Sequence, residues 1–155
     1  MTVSIKRLTG ADRAAWAAMR TALYTEADPQ ARADDLAGEI DELLARDDWA
    51  AFGAGAPGGQ LVGLIELSER NYAEGCLTSP VTYVEGLWVA EKWRRRGIAR
   101  RLVGAGMEWG RSRDRSEIAS DAQLANTISQ EAHRRMGFAE TERIVCFRMA
   151  MIDGR

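Results

Sequence analysis

Apolar side chains recur at the spacing of an amphipathic helix in three stretches of the chain. The stripe formed by Trp16, Met19 and Leu23 predicts a first helix over about residues 11–24. Two further stripes predict a second and a third helix, and they consist of Leu36, Ile40, Leu43 and Leu44, and of Ile98, Leu102, Ala105 and Trp109.

Polar residues mark where two of the predicted helices begin and end. Thr9 with Asp12, and Thr127 with Gln130, have the spacing of a capping box, in which two side chains satisfy backbone N–H groups reciprocally. The second pair opens a predicted fourth helix in "NTISQEAHRRMGF", and Gly137 is placed as its C-terminal stop.

Between the helices lie runs with the character of strands. "WAAFGAG" and "LVGLIELS" flank the turn "APGGQ", which predicts a hairpin, and "VTYVEGLWV" is the strongest strand candidate. "EIASD" and the closing "ERIVCFRMAM" are two more strand candidates. The resulting order β-α-α-β-β-β-α-β-α-β predicts one α/β domain over residues 1–155 with a mixed sheet.

Composition narrows the class of protein. The chain has 155 residues, a formal net charge of -2 and 28% charged residues. This balance argues against a dedicated nucleic-acid binder, which normally carries excess positive charge. We expect a cytoplasmic protein without a membrane span, since no apolar run approaches about 18 residues and "MTVSIKRLTG" lacks a signal-peptide core. Cys76 and Cys146 lack metal-ligand spacing, so we expect two reduced thiols and no metal.

Positive charge is concentrated in "KWRRRGIARR", which follows the strongest strand and opens the third helix. A helix start offers backbone N–H groups and a positive dipole end to phosphate oxygens. Gly97 and the small Ala99 would let a ligand approach the backbone closely. The residues alone leave three alternatives open: a site for one phosphorylated ligand, a nucleic-acid patch, or a helix start with solvated arginines.

The pattern Arg94-x-x-Gly97-x-Ala99 resembles the acyl-CoA pyrophosphate loop of the GCN5-related N-acetyltransferase (GNAT) superfamily. Asn126 and "HRRMGF" resemble that family's closing motif, with His133 where the family has a tyrosine. The resemblance implies an α/β fold with a mixed, mostly antiparallel central sheet, about four flanking helices, and a splay between the fourth and fifth strands.

Three longer segments, "EGCLTSPVTYVEG", "IASDAQLANTISQEAHRRMGF" and "ETERIVCFRM", resemble bacterial aminoglycoside 6'-N-acetyltransferases. The resemblance implies a homodimeric resistance enzyme that transfers acetyl from acetyl-CoA to the 6'-amine of an aminoglycoside in a ternary complex. A related acetyltransferase acting on a polyamine, a peptide N-terminus or another small amine is the alternative, because one fold serves many acceptors.

The same resemblance assigns residues to acetyl-CoA. The backbone N–H of Leu87 would face the thioester oxygen, and the strand from Leu87 through Trp88 to Val89 would pair with the pantetheine arm. His133 could replace the family's tyrosine as the acid that protonates the leaving thiolate, or it could be a helix residue without that role. Asn126 would bind the pantetheine or diphosphate region or cap a helix. The diphosphate itself would lie on Arg94, Arg95, Arg96, Gly97, Ile98 and Ala99.

Acidic residues are the candidates for the acceptor side. Glu85 lies in the middle of an apolar strand, where it either points outward or binds the substrate ammonium and accepts its proton. Asp121 ends the next predicted strand and is a turn residue or a second contact for the aminoglycoside. An acidic pocket is the expected counterpart of a polycation. Glu142, Tyr72 and Tyr24 are further candidates for that pocket.

Overall fold

The computed structural model describes residues 2–27 and 32–152. Its contacts divide the chain into two compact units, Met1–Asp121 and Ala122–Arg155. The single domain over 1–155 therefore stays a prediction. The first unit contains the whole sheet and three helices of the described residues, and the second contains one helix.

The predicted helices are present with small changes at their ends. They are α1 (Arg13–Ala27), α2 (Ala33–Ala45), α3 (Ile98–Ser112) and α4 (Thr127–Met136). Thr9 and Asp12 form the predicted capping box, but it opens a short 3-10 turn over Gly10–Asp12 that leads into α1. The predicted box of Thr127 with Gln130 is wrong, because the side chain of Asn126 accepts from the Ser129 N–H and caps α4 instead. Gly137 ends α4 as predicted, with φ of 105°.

One sheet of five strands, in the order β1-β2-β3-β4-β5, organises the first unit. The strands are β1 (Ser4–Arg7), β2 (Trp49–Gly55), β3 (Leu61–Arg70), β4 (Val81–Val89) and β5 (Ile118–Ala119). Neighbours from β1 to β4 are antiparallel, whereas β5 is parallel to β4 and pairs with Thr82 and Tyr83 at its start. β5 ends at Ala119, so the rest of β4 up to Val89 has no strand partner on that side among the described strands. This confirms the predicted mixed sheet with a splay at the fourth and fifth strands.

The two faces of the sheet pack against different helices. Trp16 and Met19 of α1 and Ile40 of α2 pack with Leu64 on one face. On the other face α3 lies so close that a Cβ at Gly106 would be 2.8 Å from a methyl carbon of Leu67. Odd and even positions of β3 therefore face opposite layers, as strand geometry requires.

The closing segment 142–151 is the one predicted strand that is not a strand among the described residues. A β-strand needs a neighbouring strand for its backbone hydrogen bonds. None of the described strands pairs with residues 142–151. Its apolar side chains are largely exposed, as for Phe147 at 90% and Met151 at 98%. The described part of the chain also contains no helix that is long and apolar enough to cross a membrane.

Candidate active site

A β-bulge in β4 places Glu85 on the face that carries α1. Glu66 of β3 pairs with Gly86, whereas the next residue, Leu67, pairs with Val84, so Glu85 is the extra residue. A bulge shifts the alternation of side chains along its strand. Tyr83 and Glu85 face the α1 layer before the shift, and Gly86 faces it afterwards. The β-bulge therefore lies at Glu85 and Gly86, while the role of the Leu87 N–H stays a prediction.

The carboxylate of Glu85 is held by the neighbouring strand. Arg70 donates from Nε to Oε2 and from Nη2 to Oε1, both at 2.8 Å. The Ser68 hydroxyl donates to Oε2 at 2.5 Å. The Glu85 side chain is 19% exposed and that of Arg70 is 43% exposed, so the pair lies at the edge of the protein interior. Glu85 is therefore neither an outward-pointing charge nor a fully buried one.

Arg70 and Tyr83 connect Glu85 to the second candidate acid. The guanidinium carbon of Arg70 lies 3.6 Å from the centroid of the Tyr83 ring. The Tyr83 hydroxyl donates a hydrogen bond to the carboxylate of Asp121. Burial, followed by this bond to Asp121, raises the pKa of Tyr83, so the phenol keeps its proton and remains a donor. The structure thus brings Glu85 and Asp121 into one network.

A third acid, Glu66, lies fully buried beside the bulge. It accepts hydrogen bonds from Trp16 Nε1 at 2.7 Å and from Arg20 Nη1 at 2.9 and 2.8 Å. Tyr24 donates its hydroxyl to the same carboxylate at 3.0 Å. The three donors are four residues apart along α1, so they lie on one face of the helix and hold it against β3. Sequence patterns had not singled out Glu66.

Tyr24, a predicted contact for the acceptor, therefore has its hydroxyl directed at Glu66. Burial, then the charge of Glu66, raises the pKa of this tyrosine. A Cβ at Gly86 would lie 2.9 Å from the Tyr24 hydroxyl oxygen and 2.7 Å from Leu23 Cδ2. The absent side chain of Gly86 is thus what lets α1 approach the bulge.

The loop between β3 and β4 carries the exposed Tyr72. Its far end is fixed by Glu117, whose carboxylate accepts from the backbone N–H of Leu77 at 2.9 Å and of Thr78 at 2.7 Å. Hydrogen bonds from the Thr78 hydroxyl and then from these amides, partly opposed by desolvation, hold the pKa of Glu117 below its ordinary value.

The basic loop between β4 and α3 has a conformation suited to an anion. Gly97 precedes α3 with φ of 78° and no capping side chain, and Arg95 has φ of 63°. A Cβ at Gly97 would meet no heavy atom within 4 Å, so the backbone is approachable there. The first helical bond runs from Arg101 N–H to Gly97 O, so earlier amides point toward the loop. Arg94 instead supports the loop, donating from Nε to Val89 O at 2.7 Å.

Three predicted site residues lie in the second unit. Asn126 caps α4, which is one of its two predicted roles. Nδ1 of His133 donates to the Ser129 carbonyl at 2.7 Å, and its ring meets Phe138 edge-on at 5.2 Å. Since Nδ1 carries that proton, neutral His133 has an acceptor at Nε2, and only the imidazolium could donate there. Glu142 is exposed. The assigned roles of all three stay predictions.

Comparison with known proteins shows which family the chain belongs to. Residues 14–138 match the model of the Acetyltransferase (GNAT) family. An aminoglycoside N(6')-acetyltransferase type 1 of Serratia marcescens is 41% identical over 138 residues, which cover 88% of this chain and 92% of the relative. The enzyme of the same name from Stenotrophomonas maltophilia is 38% identical over 149 residues, covering 96% and 94%.

Solved structures agree with the sequence relatives. AAC(6')-Iy, in complex with the bisubstrate analog CoA-S-monomethyl-acetylneamine, superposes with a TM-score of 0.90 at 34% identity, covering 97% of this chain and 99% of that one. AAC(6')-Ih from Acinetobacter baumannii superposes with a TM-score of 0.88 at 32% identity, covering 97% and 99%. The chain therefore belongs to the acetyltransferase (GNAT) family and, within it, to the group of aminoglycoside N(6')-acetyltransferases.

Proposed function

We propose that the protein transfers an acetyl group from acetyl-CoA to the 6'-amine of aminoglycosides, directly within a ternary complex. The observation that carries the proposal is the joined pair of acids, Glu85 and Asp121, in a chain so similar to aminoglycoside N(6')-acetyltransferases. Such an anionic site suits a polycationic acceptor, whereas a peptide N-terminus brings only one positive charge of its own. We also propose that the protein acts in the cytoplasm, where we expect acetyl-CoA to be available.

The basic loop fits acetyl-CoA as co-substrate. When bound, acetyl-CoA supplies an acetyl group activated as a thioester. The open backbone at Gly97 and the left-handed conformation at Arg95 suit a diphosphate, and the adjacent arginines supply positive charge. We assign the pantetheine arm to Leu87, Trp88 and Val89, with Asn126 and His133 as further contacts.

Glu85 takes the central role on the acceptor side. An aliphatic ammonium group must lose a proton before its nitrogen becomes a nucleophile, and a nearby carboxylate can accept that proton through a water molecule. Asp121 adds a second negative charge that holds the polycation in place. Tyr72 and Glu142 are exposed polar groups that we assign to the remaining amino and hydroxyl groups of the acceptor.

Thiol release from acetyl-CoA in the presence of tobramycin or kanamycin tests the activity. A matched aminoglycoside with a 6'-hydroxyl in place of the 6'-amine is the control, and we expect thiol release only with the amine. Absence of release above background with every 6'-amino compound would overturn the assignment. Equal rates with the 6'-hydroxyl compound would show that a different amine of the aminoglycoside is acetylated. A higher rate with a simple polyamine than with any aminoglycoside would favour the alternative acceptor class.

We also propose that two copies of the chain form a homodimer. Val145, Phe147, Met149 and Met151 are large apolar residues at alternate positions, and all are at least 77% exposed in the single chain. An uncovered apolar face with the period of a strand is a typical interaction surface. A second copy of the same chain supplies the neighbour that residues 142–151 need for their backbone hydrogen bonds.

A further inference from the structure

The carboxylate of Glu85 has one acceptor position left after its contacts with the described residues. An ionised carboxylate offers about four lone-pair sites on its two oxygens. Ser68 and Arg70 occupy both sites on Oε2, and the second Arg70 N–H occupies one on Oε1. We propose that Arg70 is a positioning residue that, with Ser68, orients Glu85 so that the remaining site on Oε1 faces the acceptor ammonium; this rests on the proposed function.

The geometry of Arg70 explains how one side chain can fix this orientation. Its two donating nitrogens match the two carboxylate oxygens as a planar fork, which restrains rotation of the carboxylate in a way that a point charge would not. The guanidinium also stacks on the ring of Tyr83, 3.6 Å from the centroid, so the fork itself has a fixed plane.

Tyr83 extends the restraint to Asp121. Its hydroxyl donates to that carboxylate while its ring supports Arg70, so one tyrosine sets the position of both parts of the anionic site. Arg70 then carries the only positive charge in the described network of Glu85, Arg70, Tyr83 and Asp121, and the network keeps a net charge of one negative unit. The site is thus anionic enough to attract a polycation while its first carboxylate keeps a defined direction.

Loss of Arg70 should therefore affect the chemical step more than binding. Without the fork, Glu85 can rotate away from the ammonium, and misplacement of a reacting group by about 1 Å can cost on the order of 10²-fold in rate. Binding of a polycation should not weaken, because the site gains a negative unit when the arginine is removed. A fall in kcat without a rise in KM for the aminoglycoside is the expected signature.

Arg70→Gln is the principal variant, measured with tobramycin and acetyl-CoA. We expect kcat to fall by about 10- to 100-fold, with KM for tobramycin equal or lower and KM for acetyl-CoA within about twofold of the wild type. Arg70→Lys should recover only part of the loss, because it restores the charge but not the fork. Arg111→Gln removes an arginine that pairs with Glu108 on the exposed face of α3 and is the matched control, with kcat unchanged.

A double-mutant cycle separates positioning from a general structural effect. In a Glu85→Gln background, Arg70→Gln should lower the residual kcat less than about twofold, because the carboxylate that it positions is already gone. Equal effects of Arg70→Gln in both backgrounds would overturn the proposal. So would a lower KM with unchanged kcat, which would make Arg70 a competitor that the substrate displaces.

Crystal structures of the wild type and of Arg70→Gln provide a readout that does not depend on activity. We expect the Glu85 carboxylate to leave its wild-type orientation in the variant, and an unchanged carboxylate still bonded to Ser68 would contradict the proposal. A wild type that releases no thiol with any 6'-amino aminoglycoside contradicts the proposed function instead. The two failures are therefore distinguishable.

Discussion

Arg20 of α1 and Glu66 of β3 form an ion pair inside the protein, with Nη1 2.9 and 2.8 Å from the two carboxylate oxygens. The Arg20 side chain is 4% exposed and that of Glu66 is 0% exposed. Arg20 also donates from Nη2 to Glu39, a half-exposed glutamate of α2, at 2.6 Å. Burial of an ion pair costs desolvation free energy, so the intact pair adds little net stability. Loss of one partner is strongly destabilising, because it leaves the other charge buried and uncompensated.

Glu66→Gln should lower the free energy of unfolding by about 3 kcal/mol, since it leaves a buried guanidinium without its main counter-charge. Chemical denaturation followed by circular dichroism measures the change. Glu39→Gln removes the exposed partner of the same arginine and is the control, with an expected loss below about 1 kcal/mol. Equal losses in the two variants would show that burial does not distinguish the two carboxylates.

Glu85→Gln should lower kcat with aminoglycosides by about 10²- to 10⁴-fold, because the amide cannot accept a proton from the substrate ammonium. The melting temperature should change little, since the amide oxygen of the new side chain can still accept from Arg70 at this partly exposed position. Glu108→Gln on the exposed face of α3 is the control for loss of an ion-paired glutamate. A near wild-type kcat for Glu85→Gln would remove this carboxylate from the mechanism.

Gly97→Ala should weaken acetyl-CoA binding because only glycine adopts φ of 78° without strain. We expect a strain of about 1 kcal/mol and a rise in KM for acetyl-CoA, with KM for the aminoglycoside unchanged. Gly104→Ala is the control. A Cβ meets no heavy atom within 4 Å at either glycine, but Gly104 lies within α3 and has no positive φ. That variant should be neutral or more stable, and identical behaviour of the two would contradict the role of φ.

How far the site can be read from sequence depends on how local each signal is. The basic loop and Glu85 are visible because a glycine after arginines and a carboxylate in an apolar strand are features of one segment. The partners of Glu85 come from another strand, and the bulge decides which side chains share a face. Glu66, Ser68 and Arg70 do alternate along β3, so a polar stripe was available as a signal. The pattern of residues 142–151 is that of a strand, but the pattern alone cannot show whether a strand forms, because a strand also needs a hydrogen-bonded neighbour.

Stability should depend on pH through Glu69, which joins β3 to the end of α3. Its carboxylate accepts from Arg113 at 2.9 Å and from Arg115 at 2.6 Å. The bond from Arg113 is the largest cause that holds the pKa of Glu69 below its ordinary value of 4.5. A lowered pKa means that the stabilisation is complete above the unfolded-state pKa and is lost as the pH falls through the folded-state pKa.

Glu69→Gln should therefore lower the free energy of unfolding by about 2 kcal/mol at pH 7, and the difference from wild type should shrink as the pH falls below 4.5. Urea denaturation of both proteins over a pH series measures the difference. Glu108→Gln, at an exposed pair with Arg111, should show a smaller difference at every pH. If the difference in free energy of unfolding between wild type and Glu69→Gln stays constant as the pH falls below 4.5, the lowered pKa of Glu69 does not contribute to stability.

Association of two chains should depend on the apolar face of residues 142–151. Phe147→Asp combined with Met149→Asp places two charges on side chains that are 90% and 88% exposed in the single chain, so the fold of one copy gains no buried charge. Because the proposed dimer covers that face, sedimentation velocity should show a dimer for the wild type and a monomer for the double variant. Leu77→Asp, at a side chain that is 93% exposed in the loop before β4, is the control and should stay dimeric. A wild-type monomer, or a double variant that still forms the dimer, would show that this face does not join two copies.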